Sequence, residues 1–146
     1  MTDKFRKLDD DFFASSQIGP ADVVDAKAMG IACIVNNRPD GEDPLAPQGA
    51  MIEAAARAMH IDYVAIPITR AGFSSEQIAA FSDIIGQSAG PVLGYCRAGT
   101  RSTMLWALAR ASAGCPVDEV KERAAHAGHD LTAIEPLLDT LSGSNR

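Results

Sequence analysis

The feature that most narrows the fold is an alternation of short β-branched apolar runs with stretches bounded by helix-start and helix-stop residues. Runs 31–35 and 62–68 are apolar and rich in Ile and Val, 91–95 is a weaker third, and 12–18 makes a fourth at a sheet edge. Between them, Gly19-Pro20 opens a helical segment that Gly30 closes, and the Ala-rich stretch 46–59 reads as a second helix. Ser74 with Gln77 forms a capping box ahead of an Ile78, Phe81, Ile84 and Ile85 stripe. Pro116, with Asp118 and Glu119 in the first turn, starts a further helix that Gly128 ends. This alternation predicts an α/β fold of about four mainly parallel strands flanked by helices. Ligands of such sheets bind beyond the carboxyl ends of the strands, so the residues after each strand carry the functional question.

With 146 residues, 47% hydrophobic and 22% charged, the chain has the size and composition of one globular domain. It is expected to span residues 4–141, with 142–146 as a C-terminal tail. Thirteen Lys and Arg against nineteen Asp and Glu leave a net charge of −6, which argues against nucleic-acid or anionic-membrane partners. No apolar run approaches the roughly 20 residues of a membrane span, and the charged first ten residues contain no signal core. Cys33, Cys96 and Cys115 are odd in number and widely spaced, which suits reduced thiols in a cytoplasmic setting better than a disulfide framework or a metal site. A small anion site is still compatible with the acidic balance, because a few oriented backbone N–H groups suffice to make one.

One segment has the chemistry for such a site. Cys96-Arg97-Ala98-Gly99-Thr100-Arg101-Ser102 follows the 91–95 strand and precedes an amphipathic helix with Met104, Leu105 and Leu108 on its apolar side. A thiol there faces unpaired N–H groups and the positive end of a helix dipole, which favour thiolate. Gly99 permits a positive φ that turns successive N–H groups of Arg97, Ala98, Gly99 and Thr100 inward, Arg101 adds a planar fork for an oxyanion, and Ser102 is placed to donate to the sulfur. A free cysteine is ordinarily a small buried hydrophobe. Two arginines, a glycine, two hydroxyls and a helix start within seven residues fit that reading poorly.

Other residues offer less. His126 and His129 at i, i+3 have no further ligand cluster beside them, so no metal is expected. Cys115 could resolve Cys96 only if the two came close enough to bridge, and its place before Pro116 equally suits a helix end. Gly94 to Gly99 half-matches a nucleotide P-loop but has Thr100 where Lys is required. Trp106 reads as helix core.

The cysteine loop resembles those of protein tyrosine phosphatases and rhodanese sulfurtransferases. More closely, the chain resembles the beta-lactamase hydrolase-like family's phosphatase-like domain. The match is carried by Ser16-Gln17 before Pro20, by Asn36-Asn37-Arg38-Pro39-Asp40-Gly41-Glu42, and by Tyr95 to Ser102. Ala127-Gly128-His129-Asp130-Leu131 is a fourth segment, with His129 where the family usually has an aromatic ring. The resemblance implies a compact tyrosine-phosphatase-like fold. It also gives a substrate-side role to Arg38, which would orient an anionic donor, and to Asp40, which would be the acid of a phosphatase reaction.

The loop length decides between chemistries. Phosphatase loops place five residues between Cys and Arg, whereas here Arg101 comes after four and Ser102 stands where that Arg would be. The spacing, with basic Arg97 directly after the cysteine, resembles rhodanese. A shorter ring suits one extra sulfur atom better than a phosphoryl group, which needs donors for three equatorial oxygens. Tyr95 replaces the His that precedes a phosphatase cysteine, and Thr69-Arg70 stand where its acid would be sought. The expected reaction is therefore sulfane-sulfur transfer through a Cys96 persulfide, with Cys96, Arg101 and Ser102 catalytic and no cofactor. The substrate would be a small sulfur compound or, in the alternative reading, a phosphate ester hydrolysed through phosphocysteine. A non-catalytic anion-binding module is the third reading.

Overall fold

The computed structural model describes residues 4–143, as six α-helices, one 3-10 turn and five strands. In chain order these are β1 (Arg6–Asp9), β2 (Phe12–Ser15), α1 (Pro20–Ala28), β3 (Cys33–Asn36), α2 (Gly49–Ala58), β4 (Asp62–Ala65), α3 (Ser75–Gln87), β5 (Val92–Tyr95), α4 (Thr100–Ser112), α5 (Val117–His126), the turn Thr132–Ile134 and α6 (Glu135–Gly143). The sheet order is β1-β2-β5-β3-β4. Strands β2, β5, β3 and β4 run parallel, and β1 is antiparallel to β2 with a register irregularity between Lys7 and Asp9.

The expected α/β class holds, with two differences in detail. The 12–18 run was placed at an edge, but β2 lies inside the sheet because β1 covers it. β1 escapes a pattern search because Arg6-Lys7-Leu8-Asp9 is charged and mostly solvent-facing, as edge strands commonly are. The expected tail begins inside α6, whose last residues are Ser142 and Gly143, and residues 144–146 lie outside the described part.

Side chains alternate across the sheet and define two cores. Phe12, Ala14, Cys33, Val35 and Val92 face one side, where Ile78 and Phe81 of α3, Leu105, Trp106 and Leu108 of α4, Val120 of α5 and Leu138 of α6 bury them. Ile34, Leu93 and Tyr95 face the other, against Val23 and Ala26 of α1 and Ile52 and Ala56 of α2. The helix after the cysteine loop was expected to be amphipathic. Instead α4 is enclosed on most sides, because α3, α5 and α6 pack around it and its back meets β2 and β5. Ala107, Ala109 and Ala111 are small enough to let those neighbours approach. Trp106 Nε1 donates to Asp9 Oδ2 at 2.9 Å, fastening β1 to this central helix.

The register sets the site. Ser15 pairs with Tyr95, and Tyr95 with Asn36, so β2, β5 and β3 end together and release their following loops at one rim. Gly94 keeps β5 close to its neighbours. A Cβ there would lie 2.7 Å from the Phe12 ring and 3.3 Å from Ser102 Cβ. Gly94→Ala is expected to destabilise the domain by about 1–3 kcal/mol through overpacking, measured by urea denaturation. An unchanged midpoint would mean that Phe12 yields freely.

Candidate active site

Cys96 is the first residue past β5, and its backbone N–H donates to Ser15 O at 3.3 Å. Three residues on, Gly99 adopts φ +88°, the left-handed region that glycine enters without strain. That turn aims the Gly99 N–H at the sulfur, with N to Sγ at 3.1 Å. α4 begins at the next residue, and Thr103 N and Oγ1 both donate to Gly99 O, at 3.0 and 2.9 Å. Gln17 N–H donates to Arg97 O at 3.2 Å, tying the loop to the segment after β2. Of the loop amides expected to turn inward, the Gly99 N–H is the one seen on the sulfur. Cys96 is 1% exposed, and its sulfur points into the loop.

Ser102 is not turned to the sulfur. It is fully buried and donates to Asn37 Oδ1 at 2.7 Å, because α4's first turn points its side chain at the end of β3. Asn37 joins three elements. Its N–H donates to Tyr95 O at 2.8 Å, its Nδ2 donates to Ile66 O at 2.9 Å, and its carbonyl accepts from Ile68 N–H at 2.9 Å. Buried polar groups need such partners, and here they lock the cysteine loop to the chain after β3 and β4. Ser102 is therefore a positioning residue.

Arg101 lies beside the sulfur, yet its fork is occupied. Nη1 and Nη2 donate to Glu42 Oε2 and Oε1 at 2.9 and 2.8 Å, a bidentate pair, and Nη1 also donates to Ile68 O at 3.0 Å. Arg38 holds the same carboxylate from the other side, with Nε at 2.9 Å from Oε1 and Nη1 at 2.9 Å from Gln17 Oε1. Hydrogen bonding from Arg101, aided by Arg38 and opposed by burial, keeps the Glu42 carboxyl below the usual carboxylate range. Glu42 in turn holds the Arg101 guanidinium more firmly charged, with a further contribution from the Cys96 sulfur. The loop Asn36–Glu42 was expected to supply Arg38 and Asp40. It supplies Arg38 and Glu42, and the fold brings Arg101 to the Glu42 carboxylate.

Asp40 sits elsewhere. Its Oδ1 accepts the Gly49 N–H at 2.9 Å, stabilising the start of α2, where the helix dipole favours negative charge. It lines a cavity of about 10 Å³ beside Tyr95, separate from the cleft over the cysteine loop. That cleft has a volume of about 650 Å³ and is lined by Arg38, Glu42, Asp43, Thr69, Arg70, Arg97 and Arg101. Ala98 is exposed and lines a different cavity, with Gly99 and His129. Thr100 Oγ1 lies 3.4 Å from His129 Nδ1, which places His129 behind the loop. Burial and the nearby Arg6 push the His129 pKa down. Among the described residues no group of three His, Cys, Asp or Glu side chains is arranged to hold a metal ion, and no helix is long and apolar enough to cross a membrane.

The remaining thiols are remote. Cys33 is a core residue whose pKa burial, with help from Asp62, pushes up to about 11. Cys115 follows the far end of α4, about 20 Å along the helix axis from Cys96, well beyond bridging reach.

A five-stranded, mostly parallel sheet that presents a cysteine on a glycine-turned loop at the start of a central helix defines a tyrosine-phosphatase-like α/β domain. Residues 4–113 match the family model "Beta-lactamase hydrolase-like protein, phosphatase-like domain". The chain belongs to that family. It is 32% identical over 125 residues to a beta-lactamase hydrolase-like protein of Agrobacterium fabrum, covering 85% of this chain and 29% of the relative. The corresponding Xylella fastidiosa protein is 34% identical over 118 residues, covering 80% and 27%. This chain thus spans less than a third of the length of those relatives. A crystal structure from Neisseria meningitidis, titled as a candidate phosphatase, superposes with a TM-score of 0.85 at 35% identity, covering 96% of this chain and 99% of that one. Tk-PTP shares the fold at a TM-score of 0.75 and 17% identity, covering 98% and 99%.

The Glu42 pair makes a pH prediction. A carboxyl whose folded pKa is depressed stabilises the fold above its unfolded pKa, and that stabilisation is lost as pH falls through the folded value. Wild-type stability is therefore expected to decline on acidification below the usual carboxylate range more steeply than in Glu42→Gln, in melting temperatures followed by circular dichroism. Parallel curves for the two proteins would show that the pair contributes nothing to folding.

Proposed function

We propose that the domain is a cysteine-dependent sulfurtransferase that carries sulfane sulfur as a Cys96 persulfide. The observation that carries this reading is the loop itself: the Gly99 N–H on Cys96 Sγ at 3.1 Å, with only four residues between the nucleophile and Arg101. The Cys96 thiolate attacks the outer sulfur of a donor such as thiosulfate or a low-molecular-weight persulfide. A new S–S bond forms, the donor's own S–S bond breaks, and sulfite or a thiolate departs with the electron pair. The persulfide anion is held by the loop amides and by the positive end of α4. An acceptor thiolate then takes the outer sulfur and releases Cys96 as thiolate, so no outside oxidant or reductant is required. Arg101, with Arg97 at the cleft mouth, attracts the donor's charge.

The acid requirement supports the same preference. Expelling an alkoxide calls for a proton donor. Of the two carboxyls lining the cleft, Glu42 is kept ionised between two guanidinium groups. Asp43 Oδ1 accepts the Leu45 N–H at 3.0 Å, and Oδ2 lies 4.0 Å from Arg38. Sulfur transfer expels a stable anion and has no such need. Phosphomonoester hydrolysis through phosphocysteine is the second reading. It is favoured by the fold shared with the Neisseria meningitidis protein and with Tk-PTP.

Incubation with thiosulfate is expected to add one sulfur atom to the intact protein, read by mass spectrometry, and Cys96→Ser should abolish the gain. Arg101→Ala is expected to lower the transfer rate by about 10²–10³-fold, the scale of losing one preorganised charged donor. Release of phosphate from an aryl phosphate by the wild type, with no sulfur uptake, would establish the second reading instead.

A further inference from the structure

Behind the cysteine loop lies a second cavity, of about 350 Å³, in which every ionisable lining residue is basic. Lys4 and Arg6 reach it from β1 and the residue stretch before it, and His126 and His129 from the end of α5. A Schellman turn sets the histidines there. Gly128 takes φ +91°, its N–H donates to Ala125 O at 3.0 Å, and the His129 N–H donates to Ala124 O at 2.9 Å. The chain so folded brings His129 back to the cysteine loop, with Nδ1 3.4 Å from Thr100 Oγ1.

The acids closest to these cations are committed elsewhere. Asp22 holds Lys4 at 3.1 Å and also accepts the Gly19 N–H at 2.9 Å. Asp130, next to His129 in sequence, accepts from Thr132 N and Oγ1 at 2.9 and 2.6 Å. Neither lines the cavity, so Arg6 and the two histidines face it with no carboxylate on its wall. Like charges gathered in this way repel one another, and an anion among them relieves the repulsion.

We propose that this cavity binds a phosphate group, free or carried on a small soluble molecule, at a site separate from the cleft over Cys96. Donors reach it from three elements: the β1 side, the end of α5, and the Ser16 hydroxyl after β2. A tetrahedral dianion presents acceptors in all of these directions, whereas a planar carboxylate is satisfied by one fork. The volume leaves room for a short organic group beside the phosphate. The site holds whichever reaction Cys96 performs. Burial, with Arg6 adding to it, pushes the His129 pKa down. A bound dianion favours the imidazolium and moves that value back up, so phosphate binds more tightly as pH falls through the His129 titration and more weakly as pH rises through it.

The test follows the His129 and His126 ring protons by NMR while inorganic phosphate is titrated into the protein at constant ionic strength. Phosphate is expected to raise the His129 pKa, and acetate to leave it in place. Arg6→Gln should weaken the binding read at His129 by about tenfold, the scale of one charge-assisted contact. Arg6→Glu should abolish it, with melting temperatures unchanged because Arg6 is exposed on an edge strand. His129→Gln, read at His126, should weaken binding independently of any change at Arg6. Arg70→Ala, in the cleft, should leave the His129 response intact. Tighter binding of glycerol 3-phosphate assigns the group to an organic carrier and tighter binding of inorganic phosphate to the free ion; both support the site. An unmoved His129 pKa, an equal response to acetate, a response that survives Arg6→Glu, or its loss in Arg70→Ala would overturn the proposal.

Discussion

The Gly99 N–H reaches the Cys96 sulfur only because the chain turns left-handed at one residue between β5 and α4. The contact fixes the sulfur at the amino end of a helix that is itself immobilised, since α4 is buried against three helices and two strands. A Cβ on residue 99 would press on the Ser15 backbone at 3.3 Å and on His129 at 3.4 Å, so the turn is both conformationally and sterically reserved for glycine. The site therefore draws its order from the core. The loop is short, its neighbours are rigid, and little reorganisation remains to be done when charge develops on sulfur.

Charge around that sulfur is arranged in a line. Arg38 and Arg101 share the Glu42 carboxylate, Gln17 Oε1 also accepts from Arg38, and Ile68 O also accepts from Arg101. An anion entering the site meets an arginine already oriented by Glu42 and must compete with that carboxylate for its N–H groups. Asp40 lies outside this network, its carboxylate accepting from the first N–H of α2.

Much of the arrangement was legible in the sequence, and the exceptions share a cause. Capping residues located α1, α3 and α5, Ala-rich composition located α2, and short apolar runs located four strands, because those signals are local. The glycine-turned cysteine loop was legible for the same reason, since thiol, glycine and arginine lie within six residues. Strand β1 was hidden because an edge strand buries one face only, and α4 looked amphipathic because nothing in its own residues announces three covering helices. Ser102 and Glu42 have partners that no local pattern announces. A hydroxyl next to a cysteine loop suggests the sulfur until Asn37 is placed 65 positions away in sequence, and a loop carboxylate looks solvated until Arg101, 59 positions away, closes on it.

The proposed chemistry requires Cys96 to be the reactive thiol, although it is 1% exposed and Cys115 is more accessible. Burial raises the pKa of both Cys33 and Cys115, and neither lies at a helix start with an amide turned onto its sulfur as Cys96 does. Brief labelling with iodoacetate at neutral pH, mapped by peptide mass spectrometry, measures this directly. Carboxymethylation is expected first at Cys96, slowed by added thiosulfate. Labelling of Cys115 ahead of Cys96, indifferent to thiosulfate, would contradict the account.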